Sequence, residues 1–364
     1  MINVNLPLNS LSFGHCSVLI LKEFYERNVP INLFLTQDPA DVSAYELEED
    51  FQFWLSSCAS RAKKNFKRTD NAFKLWHIPG SEASIGKDQV LLTFHELDSI
   101  TPVEANILKQ QKQVLVSSKF TLDVFKAGGV ENVTYCPLGF DSTHFKKTNL
   151  KKVQGVTTFS LFGKFERRKH TEKVLRAWIK KYGGKQGYVL NVHVYNPFFT
   201  PEQNNQIIGN IVGTSKPYNV NFIPYVKTLK ELNQGLNACD IVIDMSGGEG
   251  FSIPSFSALA LGKHGVVHNC SSIKDWGEES GAVLIEPRGS EPVYDGVFFQ
   301  PGKDHNQGNI FSFNEEDFLN GCDEAVARFQ KNKVNEKGLE LPGKYTWAKT
   351  ADIILEAIQS WVFQ

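Results

Sequence analysis

The stretch Asp244-Met-Ser-Gly-Gly-Glu-Gly-Phe-Ser-Ile-Pro254 decides the fold. It is preceded by the apolar run Ile241–Met245, too short for a helix and flanked by turn residues, which predicts a buried strand. Three glycines follow, where the backbone can come close to a ligand. Pro254 suits the first turn of a helix, where its missing N–H costs nothing. The free N–H groups of such a helix attract an anion in the loop, and Glu249 is the one carboxylate inside that loop. The pattern strand, glycine loop, helix is the unit from which parallel α/β sheets are built.

Reading upstream, Ser160-Leu-Phe-Gly-Lys-Phe-Glu-Arg-Arg-Lys169 repeats the arrangement. An apolar strand ends at Gly163, and Lys164, Arg167, Arg168 and Lys169 come just before a helical pattern over His170–Lys181. Cations there suit a polyanion such as a diphosphate, although a charge run can also be a solvated face. The same alternation runs along the chain. Strands are expected over Met1–Leu6, Ile31–Leu35, Val90–Phe94, Gln113–Val116, Val133–Pro137, Thr157–Phe162, Tyr188–Tyr195, Val220–Ile223 and Gly265–His268. Helices are expected over Ser17–Asn28, Lys119–Ala127, Thr228–Asn237, Ser255–Leu261 and from about Trp347 to Val362. Residues 280 to 312 read as long loops. The polar Lys146–Gln154 reads as a linker, giving domains 1–150 and 151–345 and a C-terminal helix in 346–364. Two such units place a cleft between them, with strand-to-helix loops facing it.

Composition limits the rest. With 364 residues, 41% hydrophobic and 22% charged, and a net charge of −1, the chain has no bulk charge that calls for nucleic acid or an anionic membrane. The six cysteines show no metal-ligand spacing and are expected as reduced, buried thiols. Neither a secretory signal nor a membrane span is expected, so the protein is read as cytoplasmic. Ser60-Arg-Ala-Lys-Lys-Asn-Phe-Lys-Arg68 is basic with one aromatic residue, either a phosphate-binding stretch or a solvated helix face.

SGGEGFSIPSFSALALGKHGVV resembles the donor-binding segment of GT-B glycosyltransferases, in particular retaining family four. Three further stretches agree in order: VSSKFTLDVFKAGGVENVTYCPLGFDSTHF from Val116 to Phe145, GKFERRK from Gly163 to Lys169, and YTWAKTADIILEAI from Tyr345 to Ile358. The resemblance implies an α/β GT-B fold: two Rossmann-like, doubly wound domains facing a central cleft, with the C-terminal helix crossing back to the first. It implies an acceptor-binding N-terminal domain and a C-terminal domain that binds a nucleotide sugar, most simply a UDP-sugar.

By position, the resemblance makes Lys164 and Lys169 the diphosphate cations and Glu249 the acid at the transferred sugar. Gly163, Arg168, Gly248, Gly250, Phe251 and Ser252 line the donor, and Gly14 faces it from the loop after the first strand. Ser257 falls where the family's second acid grips the ribose, and Ser252 and Lys164 replace a glycine and an arginine. His95 is read as a candidate catalytic residue, with Glu96 and Asp98 as acceptor-side residues, because related enzymes place acid- or histidine-bearing loops there near the acceptor. A lone histidine is also a common structural residue. No cofactor and no metal are expected, because side-chain cations and helix N-termini can stabilise the diphosphate. The acceptor is left open among glycan, lipid and modified nucleic acid. A nucleotide-sugar 2-epimerase and a non-catalytic binder are the alternatives.

Overall fold

Residues 1–37, 39–150, 153–213 and 216–359 are described by a computed structural model of the chain. It divides into two units: Met1–Asp141 with Gly302–Gln307 and the C-terminal stretch from Tyr345, and Ser142–Pro301 with Gly308–Lys344.

The first unit runs β1 (Ile2–Leu6), α1 (Ser12–Glu26), β2 (Ile31–Leu35), α2 (Glu49–Asn65), β3 (Ala72–Leu75), β4 (Gln89–Thr93), α3 (Pro102–Lys109), β5 (Gln113–Val116), α4 (Lys119–Ala127) and β6 (Val133–Tyr135). All strand pairs are parallel, in the order β2-β1-β3-β4-β5-β6. β1, β3 and β4 are buried along their whole length, as expected of strands covered by helices on both faces. The chain turns back between β1 and β3, so the loops after these two strands flank a crevice at the carboxyl edge. α1 begins five residues before the expected Ser17, so Gly14 lies in its first turn and not in the preceding loop. The reason it must be glycine is local: a Cβ there would meet the Asn9 carbonyl oxygen at 1.9 Å.

The second unit runs β7 (Thr157–Gly163), α5 (Thr171–Tyr182), β8 (Tyr188–Val194), α6 (Pro201–Val212), β9 (Val220–Phe222), α7 (Leu229–Ala238), β10 (Ile241–Asp244), α8 (Ile253–Ala260), β11 (His264–His268), α9 (Ile273–Trp276), β12 (Val283–Ile285), β13 (Ser290–Pro292), β14 (Asn309–Phe311), α10 (Glu315–Lys331) and α11 (Leu341–Lys344). Its main sheet is parallel with the order β12-β11-β10-β7-β8-β9, the strand order of a dinucleotide-binding Rossmann fold. Phe159, Leu161, Trp178, Val192, Ile241 and Ile243 are buried in its core.

The stretch read as loops from 280 to 312 holds β12 and an antiparallel pair, β13 with β14. In the stretch read as a linker, the Lys146 and Thr148 amides donate to Asn233 (3.2 Å) and Asn237 (2.9 Å) of α7.

The last described helix, α12 (Trp347–Gln359), packs on α1 and β4 of the first unit, as expected of a crossing helix. The end of that expected helix, 360 to 362, lies outside the described residues. Docking joins two of the sequence motifs. The Phe140 amide donates to the Tyr345 carbonyl (2.9 Å), and the Thr350 hydroxyl donates to the Pro137 carbonyl (2.7 Å). All six cysteines are buried, and none is in a disulfide. Among the described residues no helix is long and apolar enough to cross a membrane.

Candidate active site

Strand order places the site. β7 pairs in parallel with β10, Leu161 opposite Ile243, so both strands end at one edge and their loops emerge side by side. From β7 the chain continues to β8 on one side, and from β10 to β11 on the other. Right-handed crossovers then put the following helices on opposite faces and open a crevice between the two loops. α5 packs with α6 and α10, whereas α8 packs with α7.

Five charged side chains meet there. Lys169 forms an ion pair with Glu249 through Nζ and Oε1, and Arg168 Nη1 lies 3.0 Å from the same oxygen. Arg168 Nη2 reaches Glu166 Oε2 at 3.1 Å, and Lys164 Nζ stands 3.6 Å from Glu166 Oε1. Three cations face two carboxylates, which leaves the cluster cationic. Burial would raise the Glu249 carboxyl, but the Lys169 ammonium and the Arg168 guanidinium overcome it and hold the group below the usual carboxylate range. Glu166 is likewise held low against its burial, by Arg168, Lys164 and Lys169. Among the cations, Lys164 and Lys169 keep the most exposed side chains, 35% and 16%, while that of Arg168 is 9% exposed.

Glycine and buried polar groups shape the second loop. A Cβ on Gly247 would lie 2.4 Å from the Phe311 carbonyl oxygen and 2.7 Å from His170 Nε2. The Gly247 amide donates to the Arg168 carbonyl (2.8 Å) and the Glu249 amide to the Ser271 hydroxyl (3.0 Å). Ser252 has φ +64°, a left-handed conformation that costs a non-glycine residue roughly 1–2 kcal/mol. Its hydroxyl is tied to the Asp244 carboxylate, which also accepts from the Ser246 hydroxyl at 2.6 Å and amide at 3.1 Å. The Trp276 indole N–H donates to the Phe251 carbonyl (3.1 Å).

The structure thus brings Gly163, Lys164, Arg168, Lys169, Gly248, Glu249, Gly250, Phe251 and Ser252 to the loops at this one edge. Ser257 lies further along, inside α8, and is 1% exposed. In the first unit His95 is buried; its Nε2 is 3.0 Å from the Ser99 carbonyl, its ring packs on Phe125, and burial lowers its pKa. The hydrogen bond ties the His95 ring to its own loop. Glu96 is half-buried and Asp98 exposed.

The sequence reading missed Glu166, although the acid sits within the quoted cationic run, and it missed Asp244, Ser246 and Ser271. It also missed a buried pair in the first unit, His15 Nε2 with Asp141 Oδ2 at 2.7 Å, whose partners are 126 positions apart.

His268 lies beneath the loop and links the site to stability. Its Nδ1–H donates to the Ser246 carbonyl at 3.0 Å, its Nε2 has no hydrogen-bond partner among the described residues, and burial pushes its pKa down to about 4. The unfolded chain takes up this proton near pH ~6.5, the folded chain only near 4, so stability is lost as pH falls through that window. The loss for this group is roughly 3 kcal/mol. His170, also lowered by burial, adds in the same direction. Melting temperatures between pH 7.5 and 4.5 should fall less steeply in His268→Asn than in the wild type; parallel slopes would contradict the assignment.

No family model matches the chain, and no curated protein matches it by sequence. Its fold is shared with solved structures. HepE of Anabaena, crystallised in complex with UDP-glucose, is 14% identical, with 99% of this chain and 100% of that one covered and a TM-score of 0.67. Sucrose-phosphate synthase from Thermosynechococcus elongatus is 13% identical, with 100% and 99% covered and a TM-score of 0.68. WaaG, a glycosyltransferase involved in lipopolysaccharide biosynthesis, is 11% identical, with 97% and 99% covered and a TM-score of 0.61. The likeness establishes the fold: two Rossmann-like α/β units of the GT-B type.

Proposed function

We propose that the chain is a glycosyltransferase that moves a sugar from a nucleoside-diphosphate sugar, most simply a UDP-sugar, to an acceptor hydroxyl. The observation that carries this reading is the meeting of Lys164, Lys169 and Glu249 at the switch point of a Rossmann sheet. Anionic nucleotides bind at such points, where two loops diverge at the carboxyl edge. HepE, of the same fold, holds UDP-glucose.

In this reading the diphosphate draws Lys169 away from Glu249, and Lys164 joins it. The two ammonium groups stabilise charge on the departing diphosphate, a task that in other enzymes falls to a metal ion. Glu249, released from Lys169, accepts hydrogen bonds from the sugar hydroxyls. The N–H groups of Gly250, Phe251 and Ser252 face the same sugar. The acceptor oxygen bonds to the anomeric carbon as the bond to the diphosphate breaks, and the hydroxyl proton leaves with the diphosphate. Ser257 is assigned to the ribose. As a neutral partner it contributes about 1 kcal/mol, against roughly 1.5–3 for a charged one, so nucleotide affinity should be modest. Gly14, Glu96 and Asp98 are assigned to the donor phosphate and acceptor side. Retention and a place in family four rest on the motif resemblance.

The test is a panel of UDP-, GDP- and ADP-sugars crossed with glycan, lipid and modified-DNA acceptors, read as nucleoside diphosphate release, glycosylated product and calorimetric binding. Release of one nucleoside diphosphate, unaffected by EDTA, supports the proposal. An epimerised nucleotide sugar without acceptor product would mean the epimerase, and binding without turnover the non-catalytic binder. Neither binding nor release from any donor would end the reading.

A further inference from the structure

Arg168 and Glu166 differ from the two lysines beside them in what they touch. The Arg168 guanidinium is committed on both sides. Nη1 donates to the Gly248 carbonyl and, at 3.0 Å, to Glu249 Oε1, while Nη2 donates to Glu166 Oε2 at 3.1 Å. Its main chain acts on the same loop, because the Arg168 carbonyl accepts from the Gly247 amide at 2.8 Å. One residue therefore holds three consecutive positions, Gly247, Gly248 and Glu249.

Glu166 backs this arrangement. Its side chain is 6% exposed, and its main chain closes the turn through the Glu166 amide to the Lys164 carbonyl (3.0 Å) and the Lys169 amide to the Glu166 carbonyl (3.1 Å). A guanidinium that forks between two buried carboxylates has directions fixed by its plane, which a lysine ammonium cannot reproduce.

We infer that Glu166 and Arg168 form a buried brace that fixes the Gly247–Glu249 turn and aims the Glu249 carboxylate, which makes both of them positioning residues and not donor ligands. The brace decides where Glu249 stands once a ligand has drawn Lys169 away. Arg168, read from the motif as donor-binding, is thereby reassigned. Its effect on turnover rests on the glycosyltransferase reading; its effect on the loop does not.

The experiment has two arms on the full chain. Hydrogen exchange without nucleotide compares the wild type with Arg168→Gln, Glu166→Gln and Lys164→Ala. Exchange at Gly247–Ser252 should quicken about tenfold or more in the two brace variants and stay within about twofold in Lys164→Ala. Should Arg168→Gln fail to fold, Glu166→Gln carries this arm. Unchanged exchange in the folded brace variants would overturn the inference.

In the second arm, UDP affinity of the brace variants should stay within about threefold of wild type while kcat falls at least about tenfold. Arg168→Lys, which keeps the charge and loses the fork, should restore less than half of that loss. UDP affinity that weakens in step with kcat would make Arg168 a phosphate ligand and overturn the inference. A wild type that binds and turns over no donor sinks the glycosyltransferase reading instead, and the exchange arm alone then decides the brace.

Discussion

Lys169→Ala is expected to lower turnover by roughly 100- to 1000-fold and to leave the chain folded, because the loss of one electrostatic donor at a developing charge costs about 3–4 kcal/mol. The fold should survive for a structural reason. Removing the ammonium leaves Glu249 still paired with Arg168 at 3.0 Å, so no carboxylate is stranded in the interior. The Lys169 side chain is also 16% exposed, so truncation leaves space that water can fill. Steady-state kinetics at saturating donor, together with a melting curve, decide the matter. The account requires a collapse in kcat with a melting temperature near that of wild type. Wild-type turnover would take Lys169 out of the site, and unfolding would make it structural.

The second large effect concerns the first unit. Gly139 sits in the Val116–Phe145 motif, and a Cβ there would stand 2.2 Å from the Trp347 nitrogen and 2.4 Å from the Thr346 carbonyl carbon. Both are backbone atoms at the start of α12, and neither can swing aside as a side chain would. Gly139→Ala must therefore push the helix from its seat or bend the motif. Overpacking of this kind costs typically 1–3 kcal/mol and sometimes more. At about 3 kcal/mol the melting temperature should fall by roughly 10 °C. Differential scanning calorimetry measures it, and a shift under about 2 °C would mean that α12 is not held there as described.

These two residues mark what could be read in the sequence. Lys169 and Glu249 stood out because chemistry and local pattern coincide: each lies in a loop between an apolar strand and a helical stretch. The strand-to-helix alternation was equally plain, since parallel strands buried on both faces read as continuous apolar runs such as Ile241–Met245. β3 escaped notice because it is four residues long with a lysine inside. Lys74 is nonetheless buried there, its ammonium donating to the Gly80 (2.7 Å) and Ala83 (3.0 Å) carbonyls. The start of α1 escaped because Leu11 caps it without a side-chain hydrogen bond, so the usual capping signal is missing.

Contacts set by an unusual backbone conformation were out of reach altogether. Asp244 meets Ser252, eight positions on, where Ser252 turns left-handed at φ +64°. Glu166 could be seen as an acid among cations, but the direction in which Arg168 points depends on the turn at Arg167–Lys169. The purpose of Gly139 could not be read either, because its neighbour Trp347 is over two hundred positions away.

A crystal structure of the chain with a UDP-sugar, or with the donor the panel selects, tests the central claim most directly. The account predicts the diphosphate between the loops Lys164–Lys169 and Gly247–Ser252, the Lys169 ammonium on a phosphate oxygen at about 3 Å, and Glu249 turned from Lys169 to a sugar hydroxyl. A nucleotide bound elsewhere, or a Lys169–Glu249 pair left undisturbed with donor present, would contradict it.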